Sequence, residues 1–477
     1  MKGATVRHER VWLAVILVVA ALLRLYDLGN GLWLDEIVTM VRYATLPASN
    51  IVTLFDTQNN HMLYSLMAHS SMQVFGETVI GLRLPAMVFG VASLWAVYWF
   101  AKGLERETEG LIAAGFLAVS YHHVWFSQNA RGYTALMFFT LIGTGLLVRM
   151  LETGSKRSTV LAYGGVMALA VYTHLTGLLI VAGHTAVLLF LLATGRGERR
   201  ALLAGLAGVG FSGAVSLLLY LPVLGQVTRV FTSQGGGSVT TIWSSGGWFF
   251  RTLFGGLGES LPGGGATVVF ALVIIVLGSV SLARTTPRAL ALMLGPVVLT
   301  GIALMVTNHN LWPRFFFFAA GFASLIVVRG GFVVCGWVAP SATKRLAAVG
   351  AAALMLLSLL MVPKAWAPKQ DFIGAMEWVE RNRDPEDAVV TLGYGRIPFE
   401  EYLHAGWLWA ADEQELEVIE SRHRRTWVVY FFPGQFREVQ PGLYRHLEQD
   451  FVPAEEFSGT VRGGSVLVRV SLTKDRS

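Results

Sequence analysis

The chain has 477 residues, of which 54% are hydrophobic and 14% charged, with a mean hydropathy of +0.55. Soluble globular chains are about one-quarter charged, so much of this surface faces something other than water. The net charge of +6 does not signify nucleic acid, because Lys and Arg gather in short loops between apolar runs. The single cysteine, Cys335, excludes a disulfide framework.

A bilayer core needs about 20 apolar residues as a helix, since helix closure satisfies every backbone polar group internally. In chain order such runs fall at 11–27, 79–100, 110–126, 132–150, 159–173, 176–194, 201–222, 263–283, 289–306, 315–337 and 346–362. Basic residues cluster in alternate connections: Lys2, Arg7 and Arg10; Lys102 and Arg106; Arg149, Lys156 and Arg157; Arg196, Arg199 and Arg200; Arg284 and Arg288; Arg329, Lys344 and Arg345. By the positive-inside rule the N-terminus is cytoplasmic and, after an odd number of spans, the tail is exoplasmic. The expected fold is an all-α polytopic membrane domain over 1–362, followed by a small soluble α/β domain over 363–477.

Three exoplasmic segments exceed simple turns. Residues 28–78 mix polar and apolar positions and read as short interfacial helices. Residues 223–262 contain Gln234-Gly235-Gly236-Gly237-Ser238 and read as a mobile loop. In the tail, 372–381 reads as an amphipathic helix, and 387–392, 425–430 and 464–470 as strands. No internal repeat suggests a transporter built from duplicated halves.

Asp35 and Glu36 follow the first span and the apolar run Gly31-Leu32-Trp33-Leu34. Adjacent carboxylates there either cap a short helix or supply a general base. On a helix neighbours project about 100° apart, so one carboxylate alone can face a reacting atom. The other would hold the loop through an arginine or share a divalent cation. No HExxH or CxxC spacing marks a tightly bound metal.

The second cluster runs from Tyr121-His122-His123 through Ser127-Gln128-Asn129-Ala130-Arg131-Gly132-Tyr133. Trp125, Arg131 and Tyr133 suit interfacial anchoring; Gln128 and Arg131 beside Asn129 suit a phosphate clamp. His61, Tyr64, Arg83, His174, His309 and Arg314 fall on the same side, whereas the opposite loops hold almost no histidine or aromatic clusters.

These motifs resemble the GT-C glycosyltransferases that use polyprenyl-phosphate-linked sugars, in the branch shared by protein O-mannosyltransferases (glycosyltransferase family 39) and lipid A aminoarabinose transferases. The residues carrying the resemblance are Leu34-Asp35-Glu36, Asn60-His61-Met62-Leu63-Tyr64, Phe75-Gly76-Glu77, Leu82-Arg83-Leu84-Pro85, Ser127 to Tyr133 and Tyr172-Thr173-His174. Many relatives carry a His-Pro-Pro-Leu-Tyr stretch where this chain has His61-Met62-Leu63-Tyr64. The resemblance implies inverting transfer of a sugar from a polyprenyl-phosphate donor to a hydroxyl of a protein, lipid or glycan acceptor outside the cytoplasmic membrane. It implies Asp35 as base and Glu36 as its support or as partner in a shared divalent cation, the one cofactor of this reading. Donor contacts are expected from His61, Tyr64, Arg83, Gln128, Arg131, Tyr133, His174 and Arg314, with the polyprenyl chain held among membrane lipids between the spans. The acidic pair and Arg131 are expected to share one wet pocket. A lipid-substrate transporter and a non-catalytic assembly subunit are the rival readings; mid-span regions nearly free of charge count against the first.

Overall fold

A computed structural model describes residues 2–234, 246–260, 264–307 and 309–472. They form two units: residues 1–28, 47–76 and 80–365, and residues 29–46, 77–79 and 366–477. The division expected at residue 363 is therefore incomplete, because the segment carrying Asp35 and Glu36 belongs with the C-terminal residues.

The first unit is helical, and the chain is a multi-pass membrane protein. Among the described residues eight helices are long and apolar enough to cross a membrane. Every one of the predicted runs is helical, but three differ from a simple span. Lys2–Leu25 carries Glu9, Arg10 and Arg24, and Arg157–Thr173 has only 17 residues. The run 110–126 is two helices, Glu107–Ala118 and Tyr121–Ser127. Ser120 ends the break by accepting the His123 amide on its hydroxyl. Fully buried Arg24 donates to the carbonyls of Leu117 and Ala118, both at 3.0 Å. Carbonyls in a last turn are poorly satisfied within the helix, the Leu117 carbonyl accepting only a long bond from the Ser120 amide (3.4 Å), so Arg24 acts as a cap reaching across from the first helix.

The expected loop 223–262 is also partly helical, over Leu224–Gln234 and Gly246–Ser260; residues 235–245, with the Gly235-Gly236-Gly237 run, lie outside the described residues. Val223 and Val230 pack with Phe55, Met62, Tyr172 and Tyr220, which gives this stretch an apolar face that its turn residues conceal.

One polar contact deep in the bundle has a backbone origin. Pro296, inside Pro287–Val306, has no N–H for the carbonyl of Leu292. The His184 ring lies near the Leu292 backbone, and its ring nitrogens meet Tyr163 Oη and Thr144 Oγ1, both at 3.1 Å. Gly183 permits the approach, since a Cβ there would lie 2.5 Å from Pro296 Cα.

The second unit contains a five-stranded sheet in the order β2-β1-β3-β5-β4, with β1 Ala388–Leu392, β2 Leu408–Ala410, β3 Thr426–Phe431, β4 Phe451–Phe457 and β5 Val466–Ser471. β1 is parallel to β2 and β3, whereas β5 is antiparallel to β3 and β4. β1 and β3 are buried along their whole length, as parallel inner strands require. The expected strands are β1, β3 and β5, and the expected amphipathic helix is Phe372–Asn382. β4 escapes pattern reading because Pro453, Glu455 and Glu456 argue against a strand; proline is tolerated on it because β4 is an edge strand, bulged at Pro453/Glu455.

At the base of β1 and β3, Asp387 Oδ2 accepts from Arg425 Nη2 (2.7 Å), Trp427 Nε1 (2.8 Å) and the Asp384 amide (2.9 Å). Burial alone raises this carboxyl's pKa, but the hydrogen bonds from Arg425 and Trp427 outweigh it and hold it below the usual carboxylate range. A depressed folded-state pKa stabilises the fold above the unfolded value and loses that stability as pH falls through the folded one. Asp387→Ala should therefore weaken protection of the β1 and β3 amides at neutral pH by about 2 kcal/mol, with the difference from the parent chain shrinking in acid. Hydrogen exchange on the full chain measures this; equal protection at neutral pH would show that the network adds nothing.

Candidate active site

The acidic turn is the helix Leu34–Thr39, which begins after Trp33 and runs into a wider turn at Met40–Ala44. Glu36 is fully buried; its Oε2 lies 3.5 Å from the Trp33 amide and 3.8 Å from Lys369 Nζ. The amide of Leu34 donates to Gln370 Oε1 (3.1 Å), and Gln370 Nε2 donates to the Gly464 carbonyl (2.9 Å). Asn30 Nδ2 donates to the Trp366 carbonyl (2.5 Å), and Arg42 pairs with Glu401 (2.7 Å). Asp35 keeps partial exposure one residue from a carboxylate with none. The two readings of the acidic pair thus divide between its members: Glu36 is the structural cap, and Asp35 is the group with access to solvent.

Sequence patterns point to neither Lys369 nor Gln370, because a lysine just beyond an apolar run reads as solvated. What fixes them is close packing: a Cβ on Gly459 would stand 2.1 Å from the Lys369 carbonyl. Of the two roles open to Glu36, support of the turn and a share in a divalent cation, the Lys369 ammonium at 3.8 Å fits the first, and the pair does not fit a two-carboxylate metal site. Among the described residues Glu413, Glu417 and His446 are the donors grouped closely enough for a metal, within 4.8 Å of one another on the C-terminal unit. Lys369→Met strands a buried carboxylate, at a cost of about 3 kcal/mol. It should raise hydrogen exchange over residues 33–44, with Lys369→Arg restoring most of the protection; no change in Lys369→Met would show the pair to be idle.

In the membrane unit the other predicted residues separate into two sets. His61 precedes Met62–Phe75, Arg131 and Gly132 precede Tyr133–Thr153, and His174 breaks Arg157–Thr173 from Thr176–Ala193. These helix ends bring the side chains together. The His61 ring lies 4.4 Å from His174 and 5.5 Å from Tyr133, centroid to centroid. Arg131 stands 5.8 Å over the Tyr133 ring and donates to the Asn59 carbonyl (3.2 Å). Arg314 lies 3.7 Å over the Trp312 ring, and its field reaches both histidines.

The second set serves backbone carbonyls. Tyr64 Oη donates to Leu82 (2.8 Å), Arg83 Nη1 to Leu28 (3.0 Å), and Gln128 Nε2 to Arg24 (3.0 Å) and Tyr26 (2.6 Å). His123, from the histidine pair, faces Arg24 Nη2 (2.8 Å) and Ser93 Oγ (3.0 Å). Arg24 thus fixes the segment preceding Arg131, a role its position near the end of an apolar span does not advertise.

Burial, then Arg131, His174 and Arg314, hold the His61 pKa well below its usual value. Burial and the same two arginines lower His174. Both rings are therefore neutral at ordinary pH. His61 Nδ1 accepts the Gly132 amide (2.9 Å), which leaves the ring proton on Nε2, 3.1 Å from Arg131 Nη2. Two N–H donors converge there, an arrangement suited to an anion's oxygen atoms.

Residues 59–225, about a third of the chain, match the family described as dolichyl-phosphate-mannose-protein mannosyltransferase. No curated protein matches the sequence. Among solved structures the chain is similar to ArnT from Cupriavidus metallidurans bound to undecaprenyl phosphate, at 12% identity and a TM-score of 0.58, over 99% of this chain and 98% of that one. It is also similar to the Archaeoglobus fulgidus oligosaccharyltransferase in complex with Zn and sulfate, at 13% identity and a TM-score of 0.58, over 95% and 72% of the two chains. A third, the archaeal oligosaccharyltransferase AglB from Archaeoglobus fulgidus with an inhibitory peptide and a dolichol-phosphate, gives 13% identity and a TM-score of 0.55, over 97% and 74%. At these identities the likeness is one of fold.

Proposed function

We propose that this chain, a glycosyltransferase of the dolichyl-phosphate-mannose-protein mannosyltransferase type by its residues 59–225, moves a sugar from a polyprenyl phosphate to a hydroxyl acceptor with inversion, on the exoplasmic side. The observation that carries this reading is the convergence of donors from Arg131 and His61, with Arg314 acting on the same histidines. The lipid phosphate is already a good leaving group and needs charge stabilisation more than a proton. Arg131 and Arg314 supply it as the bond between the anomeric carbon and the phosphate oxygen breaks. The acceptor hydroxyl forms the new bond at that carbon and gives its proton to Asp35. Glu36 holds the turn that presents Asp35.

Incubation of the purified protein with a panel of polyprenyl-phosphate sugars and hydroxyl acceptors tests the reading. Release of free lipid phosphate together with a glycosylated product is expected. Flux of an intact lipid-linked sugar across liposomes without transfer would instead favour a transporter. Addition of chelator should leave the rate unchanged, as the Lys369 ammonium beside Glu36 suggests; a loss of rate would return a divalent cation to the acidic pair.

A further inference from the structure

A cavity of about 530 Å³, lined by none of the residues of the histidine cluster, opens where the turn before Glu107–Ala118 meets the connection between Ala320–Val338 and Thr343–Leu359. Its lining includes Arg106, Glu109, Arg329, Lys344 and Arg345. The inner part is built. Glu109 Oε1 receives both Arg106 Nη1 (3.0 Å) and Arg329 Nη1 (2.9 Å). Arg106 Nη2 is tied to Thr285 Oγ1 (2.9 Å), and Arg329 Nε to Ser281 Oγ (2.8 Å). One carboxylate thus serves two guanidinium groups, and a positive charge is left over. Arg106 Nε is buried with no acceptor, and a buried N–H left unmade is costly. Lys344 and Arg345 add two exposed cations among the lining residues. Glu105 and Glu107 also line the cavity. Glu107 sits in the first turn of its helix, where the dipole already accounts for an acid.

The surroundings identify the class of anion. Trp337 (67% exposed), Val338 (72%) and Val349 (68%) belong to the two helices that flank the connection. A hollow with one cation in excess of its carboxylates, at a connection whose flanking helices carry exposed apolar side chains, suits an amphiphile with an acidic head. We infer that this cavity binds the phosphodiester headgroup of an anionic glycerophospholipid, whose acyl chains lie along Trp337, Val338 and Val349. The inference does not depend on the transfer reaction.

Native mass spectrometry of the full chain in detergent tests it, with phosphatidylglycerol, phosphatidylcholine, undecaprenyl phosphate and water-soluble glycerol phosphate as probes. Phosphatidylglycerol is expected to be retained in preference to the other three. Lys344→Ala with Arg345→Ala, both exposed and away from the Glu109 network, should weaken its retention by about fivefold per cation removed. Arg106→Gln provides a second variant expected to weaken retention through the inner wall. Equal retention of phosphatidylcholine, or no loss in either variant, overturns the site. Preference for undecaprenyl phosphate overturns the assignment to a structural phospholipid, and equal binding of glycerol phosphate overturns the role of the acyl chains.

Discussion

Asp35→Asn should lower the rate of sugar transfer by about 10²- to 10⁴-fold, the range that a positioned general base contributes, while expression, thermal stability and donor binding stay near those of the parent chain. The separation of effects follows from burial. Asp35 is partly exposed, whereas Glu36 beside it has no exposure and is paired with Lys369. Amidation of Asp35 removes a proton acceptor from a partly exposed position. The same change at Glu36 withdraws the counter-charge of a buried ammonium and should unfold the turn, so Glu36→Gln is expected to lose stability and activity together. The measurement is release of lipid phosphate at saturating donor, with donor binding read separately. Full activity in Asp35→Asn would remove this residue from the chemistry and return the acidic pair to its structural reading.

Much of the fold is legible in the sequence because hydropathy and charge in a membrane chain answer to one constraint, the satisfaction of backbone groups in lipid. The spans follow from that, and β1, β3 and β5 follow from apolar runs bounded by turn residues. The misses share a different cause. The break at Val119-Ser120 depends on Arg24, a residue ninety-four positions from Ala118 in sequence. Lys369 and Gln370 reach the acidic turn over a separation of more than three hundred residues. Such partners leave no periodicity behind. The grouping of residues 29–46 with 366–477 is hidden for the same reason. Among the candidate site residues, His61, Arg131, Tyr133, His174 and Arg314 are legible by residue type, and the structure brings them together. Their separation from Tyr64, Arg83 and Gln128, which hold carbonyls, comes from hydrogen bonds that composition does not encode.

Arg131→Ala should reduce kcat/KM for the lipid-linked donor by about 10²-fold, the effect of removing one preorganised donor from a developing charge. Arg131→Lys should fall between, since an ammonium restores charge but not the planar fork. A structural role for Arg131 is also present, through its bond to the Asn59 carbonyl, and the lysine variant distinguishes the two. Loss of folding alone would lower thermal stability in both variants without changing the dependence on donor concentration. The neighbouring histidines supply an independent check through pH. Burial, with the arginines, lowers the pKa of His61 and of His174, so both are neutral at ordinary pH and the profile of kcat/KM should show no step near 6.5, the usual histidine value. Removal of the Arg131 charge by the alanine variant lifts one lowering influence, but burial, the larger one, remains, so the flat profile should persist. A limb near 6.5 that vanishes in His61→Asn would mean that this ring titrates during turnover and acts as more than a neutral donor beside the guanidinium.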